Sequence, residues 1–259
     1  MVCITLLSDF GSKDASVAIT KGILMQHTTL PIIDITHEIT PYHTQQAAYL
    51  LHAGYRNFSP GCIHIILSDL FSEKSPRLVL CYHRGHYFLA PDNGVIPLAL
   101  SSNPEKTWLC KAFDPKESFS DWLFSAASVI KSRSETNTDQ LLLPESVARE
   151  PKAALLPDVK GNVINCDIVH IDRYENVVIN VTRELFDAVG QGRLFRLQFM
   201  RMEEINELTE SYTDVREGYK LCRFNSSGYL EICINRGRAA SLFGLRLGGK
   251  NNHIKLSFE

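Results

Sequence analysis

The sequence predicts an α/β N-terminal domain with a parallel-rich sheet, followed by a C-terminal β-barrel-like domain. Three observations carry this. Over the first half, short apolar runs alternate with stretches of helical period, the pattern of a sheet covered by helices. Between Ser132 and Asp158 ("SRSETNTDQLLLPESVAREPKAALLPD") periodicity is lost and polar residues and prolines collect, as in an inter-domain connection. After about Asn162 the pattern turns to short β-rich runs. The expected boundaries are residues 1–133 for the α/β domain, 134–160 for the linker and 161–259 for the barrel-like domain.

Taken in order, Cys3 to Ser8 reads as a strand and Ser16 to Gln26 as a helix with Ser16 as its cap. Pro31 to Ile35 is a short β-branched strand. Thr44 to Tyr55 is an amphipathic helix, since Ala47, Ala48, Leu51 and Tyr55 share one face. Strands follow over Cys62 to Leu67, Arg77 to Tyr82 and Tyr87 to Ala90, then a helix over Gly94 to Ser101, a strand over Thr107 to Lys111 and a helix over Ser120 to Ser132. The second half offers strands at Val163 to Ile171, Asn176 to Val181, Leu194 to Phe199, Leu221 to Phe224, Tyr229 to Ile234 and His253 to Phe258.

Composition narrows the function classes. The 259 residues are 44% hydrophobic and 22% charged, enough for one large or two ordinary domains. A formal net charge of -2 gives no electrostatic case for nucleic acid or an anionic membrane. No apolar run reaches about 18 residues and no leader-like segment opens the chain, so a cytoplasmic location is expected. The seven cysteines form no C-x-x-C pair and lie mostly in apolar runs, which predicts buried free thiols rather than a metal site.

In open α/β sheets, ligands collect where the carboxyl ends of strands meet helix N-termini. Asp9 stands at such an end, as do Asp69, after "IILS", and Asp92 with Asn93, in "FLAPDNGV". Each could be a local cap; together they outline a pocket. An ionised carboxylate can accept both hydroxyls of a ribose. There is neither a G-x-G-x-x-G nor a G-x-x-x-x-G-K-[ST] loop, so a nucleoside without a polyphosphate suits the pocket better than a nucleotide. Asp9-Phe10-Gly11 is not a kinase magnesium loop, because the other kinase elements do not precede it.

The segments "TLLSDFGSKDASVAITKG", "IIDITHEITPYHTQQAAYLL", "FLAPDNGV", "IDRYENVVINV" and "SYTDVREGYKLCRFNSSGYLEICINRGRAASLFGL" together resemble the S-adenosyl-L-methionine (SAM) hydroxide adenosyltransferases, which share a fold with SAM-dependent fluorinases and chlorinases. The resemblance implies an α/β domain, a β-barrel domain, and a homotrimer with sites between the N-domain of one subunit and the C-domain of the next. It implies SAM as substrate, with no further cofactor and no metal. Asp9 would hold the ribose hydroxyls, with Phe10 and Asn93 beside it, Asp14 and Ser16 the methionine ammonium, and Tyr42 the ribose and adenine side. Asp172 would join the methionine end, Asn176 bond the adenine edge and Tyr212 stack on its face. Ser226 and Ser227 would meet the methionine carboxylate, and the backbone near Arg238 and Ala239 the adenine.

The implied reaction is attack of water or hydroxide on ribose C5′, with methionine leaving as a neutral thioether. Asp69 stands where fluorinase-like members carry Tyr, and no insertion precedes "APDNG"; both favour water over halide. The family's water-preparing set is Asp, Arg and His. Here Asp69 matches, Pro76 aligns with the Arg and Arg77 follows one place late, and Ser120 stands at the His. Asp69, Arg77 and Ser120 are therefore the candidate catalytic residues. "YEN" (Tyr174 to Asn176) replaces the family's Phe-Gly-Asn, and Arg238 replaces its Asn. Three readings stay open: SAM hydrolysis, SAM or adenosine binding without turnover, and use of another nucleophile or nucleoside. Three further features read as structural: His83 and His86 as exposed histidines of a hairpin turn, His37 in "ITHEI" as part of a turn, and "SLFGLRLGGK" as a glycine-bearing turn.

Overall fold

The computed structural model describes residues 1–72, 77–112, 116–135, 143–144, 156–200, 202–249 and 252–259. The chain divides into two compact units, Met1–Lys152 and Ala153–Glu259. Most of the expected linker over residues 134–160 lies outside the described residues, as does Pro76.

The first unit is built on seven strands: β1 (Ile4–Ser8), β2 (Ile32–Thr36), β3 (Ile63–Leu67), β4 (Arg77–His83), β5 (His86–Pro91), β6 (Lys106–Ala112) and the short β7 (Leu143–Pro144). Their order is β2-β1-β3-β5-β4-β6-β7. The pairs β1–β2, β1–β3 and β3–β5 are parallel, whereas β4 pairs antiparallel with β5 and β6, as does β6 with β7. The sheet is thus mixed rather than uniformly parallel. The antiparallel part starts at the β4–β5 hairpin, whose two loop residues, Arg84 and Gly85, both have positive φ (48° and 84°), as a tight primed turn requires.

Helices cover both faces. On one, α1 (Ser16–Met25) and α4 (Phe119–Glu135) bury Leu24, Trp122, Leu123 and Ala126 against Ile4, Leu6, Ile65 and Leu89. On the other, α2 (Thr44–Tyr55) and α3 (Val95–Leu100) bury Ala47, Leu51, Val95 and Ile96 against Leu7, Ile66 and Phe88. Alternate residues of β1 and β3 feed the two cores, which is why these strands read as continuous apolar runs.

The second unit holds two antiparallel sheets, not a closed barrel among the described residues. One is ordered β10-β11-β15-β14, using β10 (Ile168–Ile171), β11 (Val177–Thr182), β14 (Lys220–Phe224) and β15 (Tyr229–Ile234). The other is β13-β12-β16-β9-β8, using β8 (Asp158–Lys160), β9 (Val163–Cys166), β12 (Phe195–Met200), β13 (Glu203–Ile205) and β16 (Ile254–Phe258). The run Val163 to Ile171 breaks at Asp167 and so contributes to both sheets. Their inner faces share one core that includes Ile179, Leu197, Leu230, Ile232, Leu256 and Phe258. Two helices that the sequence pattern did not reveal, α5 (Arg183–Gly190) and α6 (Ala239–Phe243), close onto it. Gly190 ends α5 where a Cβ would stand 2.7 Å from the Phe258 ring, so only glycine fits there.

The hairpin histidines are buried, not exposed: His83 is 8% and His86 6% accessible. His86 Nδ1 lies 3.1 Å from Nε2 of His64, whose Nδ1 is 2.8 Å from Thr5 Oγ1. Tyr55 packs edge-on against both rings. Burial, and then the neighbouring His86, hold the His64 pKa down from 6.5 to about 3. Burial likewise lowers His83 and His86. The folded state therefore holds His64 neutral. Its contribution to stability is complete above the unfolded pKa near 6.5 and is lost as pH falls from there toward about 3. Urea-unfolding free energies are expected to drop across that acid window by up to about 1.4 kcal/mol per pH unit for each proton taken up. The drop should be shallower in His64→Asn, and an unchanged slope would count against this role.

Candidate active site at the strand ends

The register of β1 against β3, Ser8 opposite Leu67, makes the two strands end level. Both chains then turn, and the turns are bonded to each other. The Asp9 backbone N–H donates to the Leu67 carbonyl at 3.3 Å. Asp9 Oδ2 accepts the Asp69 backbone N–H at 3.0 Å and the Ser68 hydroxyl at 3.4 Å. Oδ1 of Asp9 takes no hydrogen bond among the described residues. One oxygen is thus anchored to the frame while the other takes no bond from it. Asp69 has φ 49°, a left-handed conformation that Asp tolerates better than most residues.

Strand β5 ends beside them. Its antiparallel register with β4 sets Leu78 opposite Pro91, which brings Arg77 to Asp92. The Asp92 backbone N–H donates to the Arg77 carbonyl at 2.9 Å, and the Arg77 guanidinium forms a close ion pair with the Asp92 carboxylate. Only 4% of the Asp92 side chain is accessible, against 24% for Arg77. Asn93 belongs to the frame rather than to an open pocket. Its Nδ2 donates to the Ser68 carbonyl at 3.0 Å, and its Oδ1 accepts the Val95 N–H at 3.1 Å at the start of α3.

Phe10 meets Phe119 edge-on, with centroids 5.0 Å apart, so the first turn of α4 lies against the Asp9 loop. The reciprocal bonds of Ser118 and Asp121 cap that helix. Ser120, on its first turn, is exposed.

The other residues expected at the site have local partners of their own. Asp14 Oδ1 accepts the Ser16 N–H at 2.8 Å, and hydrogen bonding to Ser16 holds the exposed carboxyl below its usual range. Ala15 stands at the N-cap position without a side-chain cap, Asp14 bonds the first helical amide from one residue earlier, and Ser16 is the first helical residue rather than the cap. Tyr42 has φ 65° and is 79% exposed. His37 is a brace: Nδ1 is 2.6 Å from Ser8 Oγ, Nε2 faces Asp34 Oδ1 at 3.1 Å, and its carbonyl accepts the Gly11 N–H at 2.7 Å. Gly11 turns there with φ 70°.

In the second unit, Asp172 organises the turn ahead of β11. Its Oδ1 accepts the backbone N–H groups of Tyr174 and Asn176 at 2.9 and 2.8 Å, and its Oδ2 accepts Asn176 Nδ2 at 2.9 Å. Glu175, inside that turn, has φ 63°. Its carboxylate accepts the Ser241 N–H at 2.9 Å in α6 and pairs with Arg238 at 3.4 Å, and its carbonyl accepts the Ala240 N–H. Glu175 and Arg238 are thus partners. Ala239 is fully buried. Ser226 and Ser227 lie in the β14–β15 turn, where Asn225 Oδ1 accepts the Ser227 and Tyr229 N–H groups. The Tyr212 hydroxyl donates to Glu231 at 2.8 Å. Burial, and then Glu231, push the Tyr212 pKa up to about 12.

Each unit therefore gathers its own set: Asp9, Phe10, Asp69, Arg77 and Asn93 in the first, and Asp172 with Asn176 and Tyr212 with Glu231 in the second. Glu231 and Arg223 are additions that sequence reading passed over. The visible signal was an acid inside the apolar run "YLEICI".

Comparison with known proteins agrees with this architecture. The model of the SAM hydroxide adenosyltransferase N-terminal domain matches residues 4–133, and that of the C-terminal domain matches residues 166–251. A protein of Thermus thermophilus named (R)-S-adenosyl-L-methionine hydrolase is 26% identical, over 93% of this chain and 95% of its own length. A protein of the same name from Methanocaldococcus jannaschii is 24% identical, over 93% of this chain and 92% of its own length. An uncharacterised conserved protein of Thermotoga maritima has the same fold, with a TM-score of 0.79 and 22% identity, over 98% of this chain and 99% of the other. By the two domain matches, which span both units, the chain belongs to the SAM hydroxide adenosyltransferase family.

Proposed function

We propose that this protein hydrolyses SAM to adenosine and L-methionine. The observation that carries the reading is the convergence of Asp9, Asp69 and the Arg77–Asp92 pair at one end of the sheet, in a chain of this family. Relatives named (R)-SAM hydrolases support it.

In this reading, Asp9 Oδ1 accepts the ribose hydroxyls and fixes C5′ before the third strand end. Water or hydroxide attacks C5′. A C5′–O bond forms as the C5′–S bond breaks, and the electron pair stays on sulfur. Methionine leaves as a neutral thioether, so no general acid is needed. The one proton released from the water passes to Asp69 and then to solvent. Arg77, aimed by Asp92, orients the attacking oxygen. Ser120 supplies a hydroxyl but no base at neutral pH. SAM enters as substrate, and the reading calls on no cofactor. Asp14, Ser16 and Tyr42 would line the methionine and ribose sides. Asp172, Asn176, Tyr212, Ser226, Ser227, Arg238 and Ala239 would come from the second unit of a neighbouring copy in a homotrimer. The family domains are taken as residues 1–133 and 161–259, joined by 134–160. Free thiols throughout the sequence suit a reducing compartment, which supports a cytoplasmic location. No helix among the described residues is long and apolar enough to cross a membrane.

Incubation with SAM, followed by chromatography, should release adenosine and methionine in equal amounts. SAM bound and recovered intact would instead identify a binding protein. Asp69→Asn is expected to lower kcat by ~10²–10⁴ if this carboxylate is the base. Asp9→Ala should raise KM. Asp92→Asn should lower kcat by misdirecting Arg77 and cost about 1–3 kcal/mol in urea unfolding, less than a fully buried pair because Arg77 is partly solvated. Light scattering of the purified protein should return the mass of three chains.

A further inference from the structure

Glu231 is a buried acid that the proposed reaction does not use. It lies in the middle of β15 and is 3% accessible. A carboxylate there costs free energy that an apolar side chain would not, so its retention calls for a reason. Its surroundings supply one. The antiparallel register sets Arg223 of β14 directly opposite Glu231, with Arg223 Nη1 3.6 Å from Glu231 Oε1. The same Oε1 accepts the Tyr212 hydroxyl at 2.8 Å. The Arg223 guanidinium carbon lies 4.6 Å from the centroid of the Tyr212 ring, over its face.

Tyr212 is therefore held at two places. Glu231 fixes the hydroxyl and Arg223 covers one face. Tyr212 belongs to a single 3₁₀ turn, Tyr212–Asp214, which would otherwise leave the ring free to change rotamer. Holding it costs rotamer freedom once, during folding, rather than at each binding event. Tyr212 is half-buried, and a stacking partner would use the ring face that Arg223 does not cover.

We propose that Glu231 is a positioning residue that, through the Tyr212 hydroxyl and with Arg223, sets the Tyr212 ring as a rigid platform for the adenine of the substrate. The inference rests on the reading of Tyr212 as the adenine-stacking residue. Glu231 does not touch the substrate; it acts through Tyr212.

The test compares wild type, Tyr212→Phe, Glu231→Ala, Glu231→Gln and the double variant Tyr212→Phe/Glu231→Ala, measuring KM and kcat for SAM and thermal unfolding. Tyr212→Phe and Glu231→Ala should each raise KM roughly fivefold to tenfold, the scale of one hydrogen bond, with a smaller change in kcat. The double variant should be no worse than the worse single one, because both remove the same bond. Glu231→Gln, whose amide oxygen can still accept the hydrogen bond of the tyrosine hydroxyl, should recover most of the loss. A purely structural Glu231 would lower the unfolding temperature and leave KM unchanged in the folded fraction. If Glu231→Ala fails to fold, Tyr212→Phe decides alone: a raised KM supports the proposal and an unchanged KM overturns it. Additive effects in the double variant also overturn it. A wild-type chain that neither binds nor cleaves SAM overturns the functional reading and this inference with it, whereas unaltered KM values in an active protein overturn the inference only.

Discussion

Asp9 Oδ2 accepts the backbone N–H of Asp69 at 3.0 Å, and with that bond the ends of β1 and β3 are fixed side by side. Nearly everything at the candidate site refers back to this link. It decides which carboxylate oxygen of Asp9 stays open, where Asp69 turns into its left-handed conformation, and where Asn93 must stand to reach the Ser68 carbonyl. The link is possible because the parallel register makes the strands finish level, and that register follows from burying both faces of two apolar runs. Core packing and site geometry are in this sense a single constraint.

The antiparallel half of the sheet adds what a purely parallel sheet could not. A strand returning beside β5 starts, rather than ends, at the edge where the parallel strands finish. Arg77 is the first residue of β4 and so reaches Asp92, the acid that follows the strand running the other way. The tight Arg84–Gly85 turn fixes the pairing that puts Arg77 against Asp92. A cation is thus paired with the acid at the end of β5 from a strand rather than from a loop.

Much of this was legible. Asp9, Asp69 and Asp92 stood at the ends of apolar runs, and strand ends are where α/β sheets bind ligands. Helices α2 and α4 were visible as apolar faces of helical period. Other features left little trace. His83 and His86 flank a hairpin turn, where polar residues are commonly exposed, and only the packing shows both buried, His86 beside the rings of Tyr55, His64 and Phe88. The bond of Asp14 to the Ser16 amide likewise leaves no trace in the sequence, where Asp14 is simply an acid ahead of a helix. The runs of the second unit had the period of strands, but whether they close into a barrel or split into two sheets depends on which edges pair, and periodicity does not carry that. Helix α5 is eight residues long and amphipathic, too short to stand out from the flanking strands.

The Glu175 turn ties two parts of the second unit into one. Glu175 holds a positive φ that a glycine would meet without strain, and it engages α6 twice, its carboxylate accepting the Ser241 amide and its carbonyl the Ala240 amide. The Arg238 guanidinium is 78% exposed and adds little to that hold. The turn ahead of β11 and the start of α6 are thereby yoked, and a displacement of either is passed to the other through two backbone amides.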